Sequence, residues 1–586
     1  MTRTEMSARG WEELDILLVT GDAYVDHPSF GAALIGRVLE ADGWRVGIVA
    51  QPDWRSAASF LVMGRPRLFC GVTAGNLDSM LANYTAARHK RQEDDFSTGG
   101  RPGCRPNHAG SVYAQLARRA FPGLPVVIGG IEASLRRVAH YDYWEDKLRP
   151  SILVDSKADL LVYGMGETAV CEIARRLAEL KAGPADASDR SDRSDTLHGI
   201  PGTACLLGAA TSASLRETGT AVLLPSWGEL QADLGRLLQQ TRLVEAEQNP
   251  YCGRRLIQRY GGRALFVEPP ARPLAAPELD RFHELPFTRL PHPACRARIP
   301  AFDMIKDSLT VIRGCPGGCS FCGLGLHQGK FLTSRSADSV LRELGTLAES
   351  ETFRGTVTDL GGPTANMYGC GNGISDACRK CRRPSCLFPG ICPHFQIEER
   401  PALELLRRAG EARGVKHVFV QSGIRMDAAL RQPGYLRELV RGHVSGHLKV
   451  APEHLHPEVL WRMRKPKADV FHRFLEIFDR ESRAAGKEQY LVPYFISSFP
   501  GCTDTHMKVV AEFLRQTHWN LQQVQDFIPL PMTPAAAMYA TGLDYETGRP
   551  IPVVRGTGER RRQQAAFRPG RGGAGRQRRS RLPGGT

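Results

Sequence analysis

Three features of other protein classes are missing from this 586-residue sequence. It has no run of eighteen or more apolar residues, which argues against a membrane-spanning helix. Its N-terminal stretch has no apolar signal-peptide core, which predicts a cytoplasmic protein. An evenly spread cysteine framework is also missing, because eight of the fifteen cysteines lie between Cys315 and Cys392. This clustering, without a secretion signal, indicates metal ligation rather than disulfide bonds.

Most of the net positive charge of the chain lies at its C-terminus. Ten arginines and one glutamate between Arg555 and Thr586 account for nine of the fifteen net positive charges. The remaining charge is modest and argues against a nucleic-acid groove in the folded part. Residues 546–586 are predicted to be a low-complexity, disordered Arg/Gly tail. Nucleic acid is therefore a candidate partner only through this tail, by salt-sensitive, non-specific contacts.

The chain is too long for one hydrophobic core, and its pattern predicts an α/β protein with several domains. Over residues 1–182, apolar strand patterns alternate with helical ones, which predicts a doubly wound parallel sheet. Residues 183–300 are expected to be a linker and connecting segment that contains one long helix, GELQADLGRLLQQTRLVEAEQ. The strand candidates of the first domain are LDILLVTGD, RVGIVAQ, RLFCGVTAG, PVVIGG and DLLVYGMG.

A second strand–helix alternation occupies residues 301–545 and predicts a partial (β/α)6 TIM-type barrel. In such barrels the chemistry takes place at the carboxyl ends of the strands. The six strand candidates are DSLTVIRG, GTVTDLGG, KHVFVQSG, HLKVAPEH, QYLVPYFISSFPG and QVQDFIPLPM.

Three cysteines follow the first of these strands directly, in the pattern Cys315-x3-Cys319-x2-Cys322. One short glycine-containing loop can wrap three corners of a cubane cluster. A [4Fe–4S] cluster usually takes four thiolates, so three leave one iron open to a non-protein ligand. The alternative is half of a zinc site completed elsewhere, although zinc pairs usually read C-x2-C.

This loop, with Phe321 before its third cysteine, resembles that of the radical S-adenosylmethionine (SAM) enzymes. Over roughly residues 12–545 the chain resembles the YgiQ-type radical SAM proteins, which have an N-terminal cobalamin-binding-like domain. The blocks that carry the resemblance include VTGDAYVDHPSFG, GGIEASLRRVAHYDYW, DLGGPTANMY and GKEQYLVPYFISS.

The resemblance implies a mechanism. The open iron would chelate the amino and carboxylate groups of SAM. One electron would then cleave the sulfonium to methionine and a 5′-deoxyadenosyl radical, which abstracts hydrogen from an unidentified substrate. A low-potential electron donor of the flavodoxin or ferredoxin type is the implied partner. The protein supplies binding, orientation and exclusion of water.

The resemblance also suggests SAM-binding residues at the ends of later strands. Gly361 and Gly362 match the turn that meets the SAM amino group, although a plain tight turn would look the same. Arg425 could pair with the SAM carboxylate or form a structural salt bridge. Glu453 is placed to hold the ribose hydroxyls or is a surface carboxylate. Ser422, Ser497 and Ser498 are further candidates at these ends.

A second group of cysteines occupies a Pro/Gly-containing insertion over residues 370–394. It predicts a second metal site, either structural zinc or an auxiliary iron–sulfur cluster, since both accept four thiolates. A metal-free loop is the alternative. Cys381, Cys386 and Cys392 match the family pattern. The candidate ligands are Cys378, Cys381, Cys386 and Cys392, with Cys370 and His394 nearby.

The loop after the first strand, Asp26-His27-Pro-Ser-Phe-Gly31, resembles that of cobalamin-binding domains, in which an Asp-x-His-x-x-Gly motif supplies an imidazole to cobalt. Here Asp and His are adjacent, and three residues separate His27 from Gly31. This departure predicts a cobalamin-like fold without bound cobalamin. His27 would then be a polar loop residue or part of a substrate pocket.

The leading hypothesis is therefore a radical SAM enzyme of unassigned substrate. A methyl or methylthio transferase assisted by cobalamin or by the second cluster is one alternative. A non-catalytic iron–sulfur or zinc protein that binds RNA through its tail is another. The tail departs from the family after ERRRQQAAF, where the relatives continue into a helical basic extension. A truncated or frameshifted end would produce this departure.

Overall fold

The computed structural model describes residues 2–182, 196–208, 221–371, 373–519, 521 and 524–568. It divides into two compact units. The first comprises Met1–Lys306, Leu326–Gly329 and Arg379–Arg382, and the second comprises the remainder. Within the described ranges, no helix has both the length and the apolar character needed to cross a membrane.

The first unit is built on a nine-stranded sheet. Its strands β1–β4 and β7 are parallel, in the order β2-β1-β3-β4-β7. All five residues of β1 are buried, as expected for a strand covered on both faces. This confirms the α/β class and the predicted N-terminal parallel sheet. The strands of this unit are β1 (Ile16–Thr20), β2 (Val46–Ala50), β3 (Phe69–Thr73), β4 (Val126–Gly129), β5 (His140–Asp142), β6 (Lys147–Arg149), β7 (Leu160–Val162), β8 (Thr203–Leu207), β9 (Val222–Leu223), β10 (Leu256–Tyr260) and β11 (Arg263–Val267).

The stretch expected to be a connector contributes four strands to this same sheet, in the order β8-β11-β10-β9. β10 and β11 form an antiparallel hairpin closed by Gly261-Gly262, and Gly261 has a φ of +59°. Gly-Gly between two apolar runs is a hairpin signal, since both turn positions favour positive φ. The predicted long helix is two helices, because Asp233 leaves the helical conformation and its side chain accepts a hydrogen bond from the Gly235 N–H at 2.8 Å.

Within the described ranges, the second unit carries seven parallel strand segments at six positions in chain order, because Thr356–Val357 and Asp359–Gly361 belong to one predicted strand. Ser308–Thr310 pairs with Asp359–Gly361, and Thr356–Val357 pairs with His417–Val418. A bridge from Ile424 to Val450 leads to the last three strands. All of these pairs are parallel, which is the strand order of the predicted partial barrel. The strands are β12 (Ser308–Thr310), β13 (Ile312–Arg313), β14 (Thr333–Ser334), β15 (Thr356–Val357), β16 (Asp359–Gly361), β17 (His417–Val418), β18 (His447–Glu453), β19 (Tyr490–Ser497) and β20 (Val524–Asp526).

Helices such as Gly31–Ala41, Ala109–Ala120, Ala337–Ala348 and Arg400–Gly410 are amphipathic and pack against strands of their own unit. The helices are α1 (Arg3–Ala8), α2 (Gly31–Ala41), α3 (Ser79–Asn83), α4 (Ala109–Ala120), α5 (Gly130–Leu135), α6 (Ile152–Ser156), α7 (Glu167–Ala182), α8 (Trp227–Ala232), α9 (Arg236–Ala246), α10 (Ala276–His283), α11 (Pro300–Ile305), α12 (Leu324–His327), α13 (Ala337–Ala348), α14 (Asp376–Arg379), α15 (Arg400–Gly410), α16 (Met426–Ala429), α17 (Pro433–Glu438), α18 (Pro457–Met463), α19 (Ala468–Ala484), α20 (Asp504–Gln516), α21 (Pro534–Thr541) and α22 (Thr557–Ala565).

The first part of the predicted tail is folded. Helix α22 packs against β19 and β20, and Arg560 is buried with its guanidinium 2.6 Å from the Asp526 carboxylate. The sequence of this segment suggests that all of its arginines face solvent, but one face of the helix is buried, and Arg560 on that face forms a buried ion pair with Asp526. Residues 569–586 lie outside the described ranges.

Candidate active site

The cluster loop, defined as residues 313–322, begins with a turn that only glycine can make. Gly314 has a φ of +88°, and a Cβ there would overlap the carbonyl oxygen of Phe331. A side chain would therefore be strained by both conformation and space. The turn carries the chain from β13 into the three cysteines.

The sulfurs of Cys315 and Cys319 lie around the empty side-chain position of Gly317. A Cβ placed there would be 3.4 Å from Cys315 Sγ and 3.8 Å from Cys319 Sγ. The Gly317 N–H and the Thr364 side chain both act to lower the pKa of Cys315, against the larger effect of burial. Cys322 Sγ accepts one from the Leu324 N–H at 3.5 Å.

Burial dominates the electrostatics of these thiols. It is the main cause that raises the pKa of Cys322 to about 12, followed by the neighbouring Cys319 and Cys315. Burial likewise raises the pKa of Cys315, with Cys319 as the second cause. The two thiols therefore keep their protons at neutral pH in the metal-free chain, and ligation has to release them.

The sulfurs of Cys315, Cys319 and Cys322 are compared with the ligands of an iron–sulfur cluster and with those of a single zinc ion. In the part of the chain that the structure describes, no three His, Cys, Asp or Glu side chains meet as ligands of one metal ion. A zinc ion needs its sulfur ligands about 2.3 Å from one centre, whereas a cubane cluster takes each thiolate at a different iron. Neighbouring sulfurs that accept N–H donors suit the second arrangement, so Cys315, Cys319 and Cys322 fit a [4Fe–4S] cluster.

Arg425 lies beside the same sulfurs. Its Nη1 is 3.8 Å from Cys319 Sγ, and it would be 3.1 Å from a Cβ on Gly317. The other side of the guanidinium forms a fork with Asp427, at 2.7 and 3.0 Å. The carboxylate partner of Arg425 in the structure is therefore Asp427, which leaves Nη1 directed at the cluster loop.

The backbone of Arg425 is held by a buried amide network. Asn366 accepts from the Arg425 N–H at 2.9 Å and donates to its carbonyl at 3.1 Å. Asn366 also donates to the Gln432 side chain at 2.9 Å. Gln432 in turn lies 3.6 Å from Cys370 Sγ. Nothing in the local sequence marks Asn366 or Gln432, and sequence reasoning missed both.

Gly361 and Gly362 allow close approaches between strand ends. A Cβ on Gly361 would overlap Ser422 Oγ, and one on Gly362 would lie 2.7 Å from the Ile312 carbonyl oxygen. The Ser422 hydroxyl is itself engaged, because it donates to Asp359 and accepts from the Gly362 N–H at 3.2 Å. Packing thus accounts for these glycines, and their role toward SAM stays a prediction.

Glu453 ends β18 in a strained backbone conformation. Its φ is +66°, which is unusual for a residue with a Cβ. Its carboxylate is buried 3.8 Å from Lys465 Nζ. Burial raises the pKa of Glu453, and its charge is one of those that raise the pKa of Cys322. Glu453 therefore lies within electrostatic reach of the third cysteine.

Ser498, directly after the neighbouring strand β19, shares this strain. Its φ is +60°, and its buried Oγ has no hydrogen-bond partner within the described residues. Its N–H donates to the Gln563 side chain at 2.8 Å. The adjacent Ser497 hydroxyl instead donates to Asp526 at 3.0 Å. The ends of adjacent strands β18 and β19 thus both carry a non-glycine residue in the left-handed region, a form of strain that active sites can hold.

The cysteine-rich insertion packs onto the cluster loop within the second unit. The Ser385 hydroxyl donates to the Gly317 carbonyl at 2.8 Å, and the Cys386 N–H donates to the Pro316 carbonyl at 2.9 Å. A Cβ on Gly318 would lie 2.7 Å from Ser385 Cβ. The insertion thus covers one side of the loop that carries the three cysteines.

The four cysteines predicted for a second metal site fall in both units. Cys381 belongs to the first unit, and Cys378, Cys386 and Cys392 belong to the second. Cys378 Sγ lies 3.3 Å from the Ser375 hydroxyl, and the Cys392 N–H donates to the Cys386 carbonyl at 2.7 Å. The second site, with His394 as a nearby ligand, stays a prediction.

His27 in the first unit is a buried loop residue with one engaged ring nitrogen. Its Nδ1 accepts a hydrogen bond from the Ser29 N–H at 3.1 Å, so in the neutral ring the proton is on Nε2. Burial, followed by the charge of Arg289, lowers the pKa of His27 and keeps it neutral. The Nδ1 lone pair is therefore occupied, whereas Nε2 has no hydrogen-bond partner within the described residues. The neighbouring Asp26 pairs with Arg37 at 2.6 Å, and the expected lack of bound cobalamin stays a prediction.

Residues 1–308 match the family described as Radical SAM N-terminal, and residues 309–514 match the Radical SAM superfamily. The chain belongs to the radical SAM superfamily. Within it, the chain is 50% identical to a UPF0313 protein of Geobacter sulfurreducens, over 96% of this chain and 91% of that relative. A UPF0313 protein of Rhodopseudomonas palustris is 45% identical, over 97% and 86%. The resemblance to the YgiQ-type proteins is confirmed.

Two solved structures are similar at a lower level. One is the radical SAM methyltransferase TsrM from Kitasatospora setae with cobalamin and a [4Fe–4S] cluster bound, at 15% identity and a TM-score of 0.48 over 89% of this chain and 76% of that one. The other is the cobalamin-dependent SAM radical enzyme OxsB, at 11% identity and a TM-score of 0.47 over 92% and 57%. Similarity at this level says nothing about the cofactor or reaction of this chain.

Proposed function

We propose that this protein cleaves SAM reductively at a [4Fe–4S] cluster held by Cys315, Cys319 and Cys322, and abstracts hydrogen from a substrate. The observation that carries the proposal is the grouping of these three sulfurs with a buried cation, Arg425, and a buried carboxylate, Glu453. They lie after carboxyl ends of strands of a partial barrel, where this fold places its chemistry.

When bound, the reduced cluster supplies the electron that splits the SAM sulfonium into methionine and a 5′-deoxyadenosyl radical. The residues of the chain have other tasks. The cluster loop releases its thiol protons on ligation, and Ser385 holds the insertion over it. Glu453 would accept hydrogen bonds from the ribose hydroxyls, and the strained Ser498 would offer its Oγ to the ligand. These contacts orient SAM and exclude water.

The proposed function includes an electron-donor protein and a second metal site. A low-potential flavodoxin- or ferredoxin-type protein would deliver the electron. The cysteine-rich insertion would bind zinc or an auxiliary iron–sulfur cluster through Cys378, Cys381, Cys386 and Cys392.

The test is anaerobic reconstitution of the full chain with iron and sulfide, followed by reduction with dithionite, addition of SAM and assay of 5′-deoxyadenosine. We expect product from the unaltered protein and none from Cys319→Ala. Cys171→Ala, the same change in the first-unit helix α7, is the matched control and should retain the activity. Equal product from Cys319→Ala and the unaltered protein would refute the proposal.

A further inference from the structure

We infer that the positive charge of Arg425 raises the reduction potential of the cluster held by Cys315, Cys319 and Cys322. The negative charge of Asp427 limits this effect. The inference rests on the proposed function and assigns Arg425 to the cluster rather than to the SAM carboxylate. It follows from the geometry of the guanidinium, which faces a carboxylate on one side and a cluster cysteine on the other.

The first observation is the space that the sequence leaves for the cation. Gly317 has no side chain, and its empty Cβ position is bounded by Arg425 Nη1 and by the sulfurs of Cys315 and Cys319. A guanidinium in this position places positive charge next to two of the three ligands. Because Arg remains protonated at all physiological pH values, this charge is permanent.

The second observation is that Arg425 cannot easily move away. The side chain is only 9% exposed, and Asn366 fixes its backbone on both the N–H and the carbonyl. Asp427 occupies Nε and Nη2, so a SAM carboxylate that used the same fork would have to displace it. The remaining Nη1 is directed at Cys319.

The electrostatic consequence has a definite sign. One-electron reduction adds negative charge to the cluster and its thiolates, and a nearby cation stabilises the reduced form more than the oxidised one. The effect is large because buried charges interact through a lower dielectric than water provides. Hydrogen bonds to sulfur and net local charge are known determinants of cluster potential. Asp427 acts in the opposite direction, since its charge compensates that of Arg425.

The experiment is a redox titration of the reconstituted full chain without SAM, followed by visible absorption and electron paramagnetic resonance. Arg425→Gln should shift the midpoint potential to more negative values, and Asp427→Asn should shift it to more positive values. Arg425→Lys should lie near the unaltered protein. Arg407→Gln, which breaks an exposed pair with Glu438, is the matched control and should leave the potential unchanged.

Other outcomes separate this inference from the proposed function. Iron and sulfide content is measured for each variant, and only variants with a full cluster are compared. If Arg425→Gln and Asp427→Asn both keep the original potential while SAM affinity falls in Arg425→Gln, Arg425 binds SAM and the inference is overturned. If both variants shift the potential in the same direction, the opposing roles are refuted. If the unaltered protein assembles no reducible cluster, the proposed function fails and this inference fails with it.

Discussion

The side chain of Gln563 accepts a hydrogen bond from the backbone N–H of Ser498 at 2.8 Å. Gln563 is only 1% exposed and lies on α22, in the stretch that its sequence suggests is a basic tail. Its amide N–H also donates to the carbonyl of Cys502 at 3.1 Å. One side chain from the C-terminal helix therefore holds the strained backbone that ends β19.

Gln563→Ala should lower the free energy of unfolding by about 1–3 kcal/mol, because it leaves two buried backbone groups without partners. Gln564→Ala, the neighbouring and half-exposed residue, is the control and should change stability by less than about 0.5 kcal/mol. Urea unfolding of the metal-free protein measures both. Similar losses in the two variants would show that the helix, and not this amide, provides the support.

Glu453→Gln should change how stability depends on pH. Burial raises the pKa of Glu453 above its ordinary value of 4.5, so the folded chain binds this proton more tightly than the unfolded chain. The stability it contributes is complete below pH 4.5 and is lost as the pH rises through the raised value. The variant side chain is neutral throughout, so its unfolding temperature relative to the unaltered protein should rise with pH above 4.5.

Thermal unfolding of both proteins across this pH range measures the difference. Glu476→Gln removes a carboxylate at an exposed position on α19 and is the control for the substitution itself. A difference that is constant with pH for Glu453→Gln would mean that the carboxylate is not desolvated in the folded state.

The strands of the fold could be predicted because parallel, buried strands are continuous apolar runs. Each of the six predicted barrel strands contains a strand of the structure, from Ser308–Thr310 to Val524–Asp526. The second half of the nine-stranded sheet could not be found in this way. Its strands are short or carry polar residues at one end, as Gln258 and Arg259 do in β10, and the Gly261-Gly262 turn is a local signal for a hairpin.

The candidate site also has a part that the sequence predicts and a part that it does not. Spacing within one loop identifies Cys315, Cys319 and Cys322, since local spacing is all that a cluster loop needs. The network around Arg425 joins residues 59 and 66 positions apart, which no local pattern records. Helix α22 was missed because its arginines suggested solvent, whereas Arg560 and Gln563 face inward.

Gly317→Ala should impair cluster assembly. The new methyl group would lie 3.1 Å from Arg425 Nη1, which is tighter than ordinary contact, and 3.4 Å from Cys315 Sγ. Overpacking of this kind typically costs about 1–3 kcal/mol, and here it acts on the ligands themselves. We expect less iron and sulfide bound per chain after reconstitution. Gly325→Ala is the control, because its Cβ would meet nothing within 4 Å. Normal iron content in Gly317→Ala would mean that the loop adjusts freely.

Ser385→Ala should expose the cluster loop to solvent. The hydroxyl donates to the Gly317 carbonyl and accepts from the N–H groups of Leu387 and Phe388 at 3.0 and 2.9 Å. Its loss leaves these groups unpaired, at a cost of about 1–3 kcal/mol, and weakens the contact between the insertion and the loop. Under anaerobic conditions, iron should pass to a chelator faster than from the unaltered protein. Ser350→Ala removes a hydroxyl at the solvent-exposed end of α13 and should leave that rate unchanged. Equal rates in all three proteins would show that the insertion does not shield the cluster.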